Sequence, residues 1–341
     1  MNLRELLFPL RWGYQGLTGF RNWLYDHRIF RAHAVESKVI SVGNLTVGGT
    51  GKTPVTLALI DLVKSKKYSC GVVSRGYKRG KKGIHPVELA PSAAMEFGDE
   101  PVLIKSLHPE MPVFVGNKRV KTARKLLAAQ TVDFIFCDDA FQHRSLKRDL
   151  NLLLLDTTEA MKEYRVLPVG RGRESLLPAL KRVDYFVLTK TNLCTPDQLK
   201  DLIFWVKEKS EKPVLLAAYD FRGFRNVAGE LAPSLKDKIY LVTGVAKPWT
   251  VEKTIDGRAQ IVKHKTFEDH HRYTHIEVET LIDEASQLQA RWIVTTQKDA
   301  TKLRQFAALR NRLWIIDLGV QFEGDLKVFY ADIDRLARAR D

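Results

Sequence analysis

The sequence predicts an α/β protein, with a P-loop NTPase-like parallel-sheet domain and a second, smaller α/β domain joined to it by a two-stranded linker. Three observations carry this. Strand-like and helix-like runs alternate between residues 38 and 209, which argues for a parallel sheet covered on both faces. The glycine-rich stretch Ser41-Val42-Gly43-Asn44-Leu45-Thr46-Val47-Gly48-Gly49-Thr50-Gly51-Lys52-Thr53-Pro54 lies between the first strand and the first helix of that series. After residue 209 the texture changes, and a second strand–helix series begins near residue 239.

The N-terminal segment, residues 1–36, places Leu3, Leu6, Leu7, Leu10, Tyr14 and Leu17 at helical spacing. Trp12, Phe20 and Trp23 add aromatics; Arg4, Arg11, Arg21, Arg28 and Arg31 add charge. Such a helix can lie in a membrane interface. The same stripe can instead pack on the protein's own core, with Pro9 kinking the helix. Strands follow at Lys38–Val42, Cys70–Ser74, Pro112–Val115, Phe134–Cys137, Asn151–Leu155 and Tyr185–Thr189, with helices at Pro54–Lys67 and Lys118–Gln130. Thr195-Pro196-Asp197-Gln198 is a capping box and starts a helix that runs to about Lys209. Val214–Asp220 and Asn226–Glu230 flank Phe221-Arg222-Gly223-Phe224-Arg225, which reads as a hairpin and hinge. Strands at Ile239–Thr243, Gln260–Lys265, Trp292–Thr296 and Leu313–Asp317 complete the second series. The expected divisions are therefore 1–36, 37–213, 214–231 and 232–341.

Bulk properties narrow the function. The 341 residues suffice for two cores. No apolar run approaches the ~18 residues of a membrane span, and no h-region of a secretory signal is visible. Cys70, Cys137 and Cys194 form no C-x-x-C pair and read as reduced residues. The net charge of +15 calls for a polyanionic partner: nucleic acid, an anionic membrane surface or a phosphorylated substrate.

The glycine-rich stretch carries the strongest chemistry. It matches G-x-x-x-x-G-K-[ST] except that Thr46 replaces the first glycine. Gly48, Gly49, Thr50 and Gly51 would curl successive amides toward one anion at the positive end of a helix. Lys52 would reach the β- and γ-phosphates of a nucleotide, and the Thr53 hydroxyl would hold Mg²⁺. Phe134–Cys137 runs into Asp138 and Asp139, where a P-loop enzyme carries its metal-binding carboxylate. Gly98-Asp99-Glu100-Pro101 has two readings: a helix cap, and a base toward a hydroxyl. Ser74-Arg75-Gly76-Tyr77, Gly116-Asn117-Lys118-Arg119 and Gly170-Arg171-Gly172-Arg173-Glu174 put arginine forks at the ligand edge of the sheet. Between His264 and His275, the capping box Thr274-His275-Ile276-Glu277 keeps His270 and His271 in a loop, which favours a working histidine over a zinc site. Thr296-Gln297-Lys298-Asp299 reads as a strand end and helix cap only.

Together these motifs, with Asp138-Asp139-Ala140-Phe141-Gln142-His143 and Asp269-His270, resemble the tetraacyldisaccharide 4′-kinase family of lipid A synthesis along nearly the whole chain. In that family a threonine at the position of Thr46 is normal. The resemblance implies ATP- and Mg²⁺-dependent phosphorylation of the 4′-hydroxyl of a tetraacyl glucosamine disaccharide 1-phosphate, giving lipid IVA. It implies Asp99 as base with His270 as its partner, and Lys52, Asp138 and Asp139 in catalysis. It implies Arg75, Tyr77, Asn117, Arg119, Gln142, His143, Arg171 and Arg173 toward the substrate. The implied partner is a lipid-linked disaccharide at the membrane surface, with neither nucleic acid nor an obligate protein partner. The implied place is peripheral, on the cytoplasmic face of the inner membrane. Asp99 and His270 fall in different expected domains, so closure about Gly223 would assemble them. The competing readings are a nucleic-acid-dependent P-loop ATPase, for which the sequence shows no helix-turn-helix, aromatic stacking module or zinc finger, and a nucleotide switch, which needs no base for an acceptor hydroxyl.

Overall fold

The computed structural model describes residues 8–339. Leu3, Arg4, Glu5, Leu6 and Leu7 lie outside them. In chain order the elements are α1 (Phe8–Asp26), β1 (Lys38–Asn44), α2 (Lys52–Ser65), β2 (Cys70–Ser74), β3 (His85–Pro86), α3 (Ala93–Phe97), α4 (Asp99–Leu107), β4 (Val113–Val115), α5 (Arg119–Ala129), β5 (Phe134–Asp138), β6 (Leu150–Asp156), α6 (Leu176–Leu180), β7 (Tyr185–Thr189) and α7 (Pro196–Lys209). They continue as β8 (Val214–Asn226), β9 (Leu231–Ala232), β10 (Leu235–Thr243), α8 (Pro248–Thr254), β11 (Ala259–Thr266), α9 (His275–Gln287), β12 (Trp292–Thr296), α10 (Gln297–Leu303), β13 (Leu313–Gly324) and α11 (Leu326–Arg338).

The chain forms two compact units. The first comprises residues 1–75, 116–218 and 321–341; the second comprises 76–115 and 219–320. In the first, the strand order is β8-β7-β6-β1-β5-β2 and every neighbouring pair is parallel. The continuous apolar run Leu152-Leu153-Leu154-Leu155 is fully buried, as a strand covered on both faces requires. Leu153, Leu155, Phe186 and Leu188 pack with Leu180, Leu202 and Val206 from α6 and α7. β1 lies between β6 and β5, so the glycine-rich loop leaves from the middle of the sheet at its carboxyl edge.

The second unit has its own parallel order, β11-β10-β12-β13, and an antiparallel pair, β3–β4. Tyr240, Val242 and Ile293 pack with Val278, Leu281 and Ala285 of α9. Residues 76–115 belong here, although the sequence order places them beside the P-loop segment. The reason is packing, since α3 and α4 lie against α10 of the same unit.

Two expectations change. Residues 221–225 are not a turn: β8 runs unbroken through them. Gly223 has φ 134, and a Cβ there would sit 2.8 Å from the Ala232 carbonyl oxygen. The glycine marks close approach of β9, not a bend. The turn lies at 227–230, closed by the Asn226 N–H to the Glu230 carbonyl (3.0 Å) and the Glu230 N–H to the Asn226 side chain (2.9 Å). The chain instead passes between the units in β8 and in β13. On α1, Leu10, Trp12, Leu17 and Phe20 are 60–69% exposed, so the described part of the stripe does not pack on the protein's own core.

Candidate active site

In the first unit, Gly48 (φ 109) and Gly51 (φ 81) take the left-handed backbone that the loop requires, while Thr46 does not. Thr46 therefore needs no glycine. Its hydroxyl donates to Glu159 (3.2 Å), and its carbonyl accepts from Asn44 Nδ2 (2.7 Å). Gly51, in the left-handed conformation, precedes α2, whose first amides have no helical acceptor. Lys52 Nζ donates to Asn44 Oδ1 (3.2 Å) and lies 3.6 Å from Asp139. The buried Thr50 hydroxyl meets no partner among the described residues. The end of β7 holds the loop: Thr189 donates to the Thr50 carbonyl (2.9 Å), and Lys190 donates to the Gly49 carbonyl (2.9 Å) and to Asp156 at the end of β6 (2.6 Å).

Asp138 ends β5 in a fully buried position. Its neighbour Asp139 (φ 48) accepts Arg173 Nη1 on both oxygens, at 2.9 and 3.0 Å. Burial works against the Asp139 charge, but Lys52 and Arg173 outweigh it and keep the carboxyl below its usual range. The loop 170–174 is bonded along the glycine-rich loop. Val47 N–H donates to the Arg171 carbonyl (2.9 Å), and Arg173 N–H donates to the Leu45 carbonyl (2.7 Å). Arg171 pairs with Glu159 (2.6 Å), with its guanidinium against Gly48. Gln142 donates to the Asn44 carbonyl (2.9 Å). Arg119 is buried and donates to the Gly116 carbonyl (2.6 Å), whereas Arg75 and Asn117 are exposed. His143 is pushed down to about 4, first by burial and then by Arg119 and Arg148.

This donor set fits a nucleotide triphosphate with Mg²⁺. Helix-start amides and the Lys52 ammonium suit phosphate oxygens. The Thr53 hydroxyl and the Asp138 carboxylate are the hard oxygen donors that Mg²⁺ prefers. Among the described residues no group of three His, Cys, Asp or Glu side chains could hold a metal ion.

The second unit carries the other half of the prediction. Gly98 (φ 95, ψ 150) turns the chain into α4, and Asp99 is its first residue. Asp99 is only 5% exposed, and its Oδ1 accepts the Glu100 N–H (3.0 Å). His270 Nδ1 is 2.9 Å from both Asp99 oxygens. Its other nitrogen faces Lys298 Nζ at 3.2 Å, and Lys298 also donates to Asp269 (2.8 Å). With Nε2 facing an ammonium, the imidazole is assigned as the Nδ1–H tautomer, donating to Asp99. Lys302 Nζ lies 3.6 Å from Asp99, and the Tyr77 ring is 4.9 Å from the His270 ring. Burial opposes the Asp99 charge, but His270, Lys298 and Lys302 more than offset it and hold the carboxyl well below its ordinary range. Burial likewise opposes the Lys298 charge, and Asp99, Glu100 and Asp269 hold that ammonium above its ordinary range. Tyr77, Asp99, His270, Arg272 and Lys302 line a cleft in this unit.

The chain matches, over residues 3–337, the family described as Tetraacyldisaccharide-1-P 4′-kinase. The chain belongs to that family. A tetraacyldisaccharide 4′-kinase of Bdellovibrio bacteriovorus is 39% identical over 94% of this chain and 96% of its own length. One from Parabacteroides distasonis is 34% identical, over 91% of this chain and 86% of its own. A crystal structure of LpxK from Aquifex aeolicus, described as an "apo" form in complex with ATP, superposes with a TM-score of 0.79 at 28% identity, over 98% of this chain and 99% of that one.

In this tetraacyldisaccharide 4′-kinase family member, the sites predicted from sequence divide between the two units. Lys52, Thr53, Asp138, Asp139, Arg75, Asn117, Arg119, Gln142, His143, Arg171 and Arg173 fall in the first. Tyr77, Asp99 and His270 fall in the second. Asp99 and His270 thus meet inside one unit, and no closure is needed to pair them. Sequence reading missed Lys298 and Lys302. Thr296 does cap α10, accepting from the Asp299 N–H, but the helix also carries these two lysines four residues apart, on the face that meets Asp99. Their spacing was a usable signal. Glu159, which binds Thr46 and Arg171, had none.

Proposed function

We propose that the glycine-rich loop of the first unit and the Asp99–His270 pair of the second carry the two halves of one phosphoryl transfer. The protein is a kinase of lipid A synthesis: it phosphorylates, with ATP, the 4′-hydroxyl of the lipid A precursor disaccharide. In the proposed mechanism, the amides of residues 48–53 and Lys52 hold the β/γ-phosphates of ATP. Thr53 and Asp138 would hold Mg²⁺, which when bound neutralises charge on the transferring group. Asp139 is kept ionised by Lys52 and Arg173 and fixes both.

Asp99 orients the acceptor hydroxyl and takes its proton as the phosphoryl group transfers. Its depressed pKa makes it a weak base. That suits a loose transition state, in which the proton leaves late and little base strength is needed. His270, donating from Nδ1, aims the carboxylate. Tyr77 lies against His270, and Arg75, Asn117, Arg119, Gln142, His143, Arg171 and Arg173 serve the disaccharide and its phosphate. No described helix is long and apolar enough to cross a membrane. The exposed apolar residues of α1 support peripheral attachment of residues 1–36 to the membrane that holds the lipid, on the cytoplasmic face where ATP is available.

The observation that carries this reading is the Asp99–His270 contact, 2.9 Å to each oxygen of a buried carboxylate, since an ATPase or switch has no acceptor hydroxyl to serve. The test is transfer of label from γ-³²P-ATP to detergent-dispersed tetraacyl disaccharide 1-phosphate, with Asp99→Ala beside the wild type. Label in the lipid that disappears in the variant is expected. ATP hydrolysis without lipid labelling would favour the ATPase or switch.

A further inference from the structure

A second basic site lies in the first unit, built by residues that no part of the phosphoryl transfer uses. The segment after α1 is zipped to the segment before β6: His33 N–H donates to the Ser145 carbonyl (2.8 Å), and Lys147 N–H donates to the His33 carbonyl (2.9 Å). This brings Arg28, Arg31, Arg144, Lys147, Arg148 and Arg182 around one pocket, which Asn151 and Asp184 also line. Asn151 and Asp184 stand at the amino-terminal ends of β6 and β7, whereas the glycine-rich loop follows the carboxyl end of β1.

The charges do not balance. Arg144 pairs with Asp26 (2.6 Å), and Arg182 pairs with Glu174 (2.5 Å). Asp184 is the only carboxylate in the lining among the described residues, and it already accepts the Asn151 N–H (2.9 Å). Six cations thus face three carboxylates. Among the described residues, the exposed Arg28, Arg31 and Lys147 have no acidic partner, and Arg148 donates to the carbonyls of Ala140 (3.3 Å) and Phe141 (2.9 Å) alone. Arg182 keeps one buried guanidinium nitrogen, Nη1, without a partner among the described residues. Burial, and then Arg182 and Arg144, push the Arg148 guanidinium down to about 10, so the group is crowded with like charge. A cluster of this kind is stabilised by an anion that several forks can share.

We propose that this pocket is a binding site for a phosphoryl oxyanion, separate from the nucleotide and acceptor sites. Two sources carry that chemistry: a free phosphate, and the head group of an anionic phospholipid. The surroundings favour the lipid. Phe30 lines the pocket and is 45% exposed, its chain neighbour Ile29 is 57% exposed, and Trp23 near the end of α1 is exposed as well. Apolar side chains beside a phosphate site match a head group with its acyl chains attached. The pocket would then fix the orientation of the enzyme on the bilayer, which a diffuse positive charge would not.

The experiment uses the full chain with excess nucleotide, so that the glycine-rich loop takes no phosphate. Its probes are phosphatidylcholine vesicles with and without phosphatidylglycerol, and inorganic phosphate by calorimetry. The test variant is Arg31→Glu/Lys147→Glu, at two exposed positions. The control, Lys200→Glu/Lys207→Glu on α7, changes net charge equally. Melting curves confirm that all three proteins fold.

The expected result is sedimentation with phosphatidylglycerol vesicles that falls at least about tenfold in the test variant, more than ~1.4 kcal/mol of binding, and much less in the control. Phosphate binding that the test variant alone loses, without vesicle binding, supports the pocket and assigns it to a free anion. Equal losses in test and control, or no binding of either probe, overturn the proposal. None of these outcomes depends on lipid labelling by ATP, so the kinase reading stands or falls separately.

Discussion

Asp99 keeps its charge in a place that burial alone would make neutral, and the residues responsible set its pH behaviour. A carboxylate held below its ordinary range stabilises the fold above the unfolded-state pKa and loses that contribution as pH falls through its own value. Lys298, held above its ordinary range, contributes below the usual lysine pKa and loses this as pH rises through its own. The cluster is therefore at full strength from about pH 4 to about pH 10. Lys298→Met removes one counter-charge, so the Asp99 pKa rises. The acid limb of the kcat–pH profile should move to higher pH, and an unmoved limb would mean that Lys298 does not hold the carboxylate down. Asp99→Asn should lower kcat by ~10²–10⁴ with nucleotide affinity unchanged. Lys52→Ala should weaken both, as equilibrium binding and single-turnover rates will show. Asp99 and His270 were legible as residues in the motifs that carry them. Lys298 and Lys302 were overlooked: a helix cap accounts for the motif that holds Lys298, and the four-residue spacing to Lys302, which places both on one helix face, was not followed.

At the scale of elements, the loop 170–174 explains its own glycines. A Cβ on Gly172 would sit 2.8 Å from the Tyr164 carbonyl oxygen and 2.9 Å from that of Arg165. Small residues here let the strip pack against the backbone of Tyr164 and Arg165. Gly172→Ala should displace the strip, loosen Arg171 and Arg173, and raise the Km for both substrates more than it lowers the melting temperature. The two capping boxes form as their sequences specify, with Thr195 accepting from the Gln198 N–H and Thr274 from the Glu277 N–H. Replacing Thr274 by alanine should cost about 1 kcal/mol by denaturant unfolding, a local effect that leaves the Asp99–His270 contact in place. Helix starts and strand runs were readable because caps and periodicity are local. The hairpin turn was misplaced because a glycine in a strand and a glycine in a turn look alike until the partner strand is seen.

For the whole molecule, nucleotide binding and stability are linked. At a free ATP concentration a hundredfold above Kd, the native state should gain about 2.7 kcal/mol. The gain should vanish in Lys52→Ala, and thermal unfolding with and without nucleotide measures it. The chemical class, the parallel sheet and the phosphate loop followed from the sequence alone. They rest on periodicity, capping and glycine chemistry, which act within a few residues of the chain. The tertiary structure alone decided that residues 76–115 fold with the second unit, bringing Asp99 and His270 together, that Lys298 and Lys302 tune the pair, and that residues 28–33 meet residues 144–148 around a basic pocket. Those contacts join segments more than 100 residues apart in the chain, as His33 with Ser145, Asp99 with His270 and Asp99 with Lys302 show. They arise from which apolar faces pack together, which local pattern does not encode.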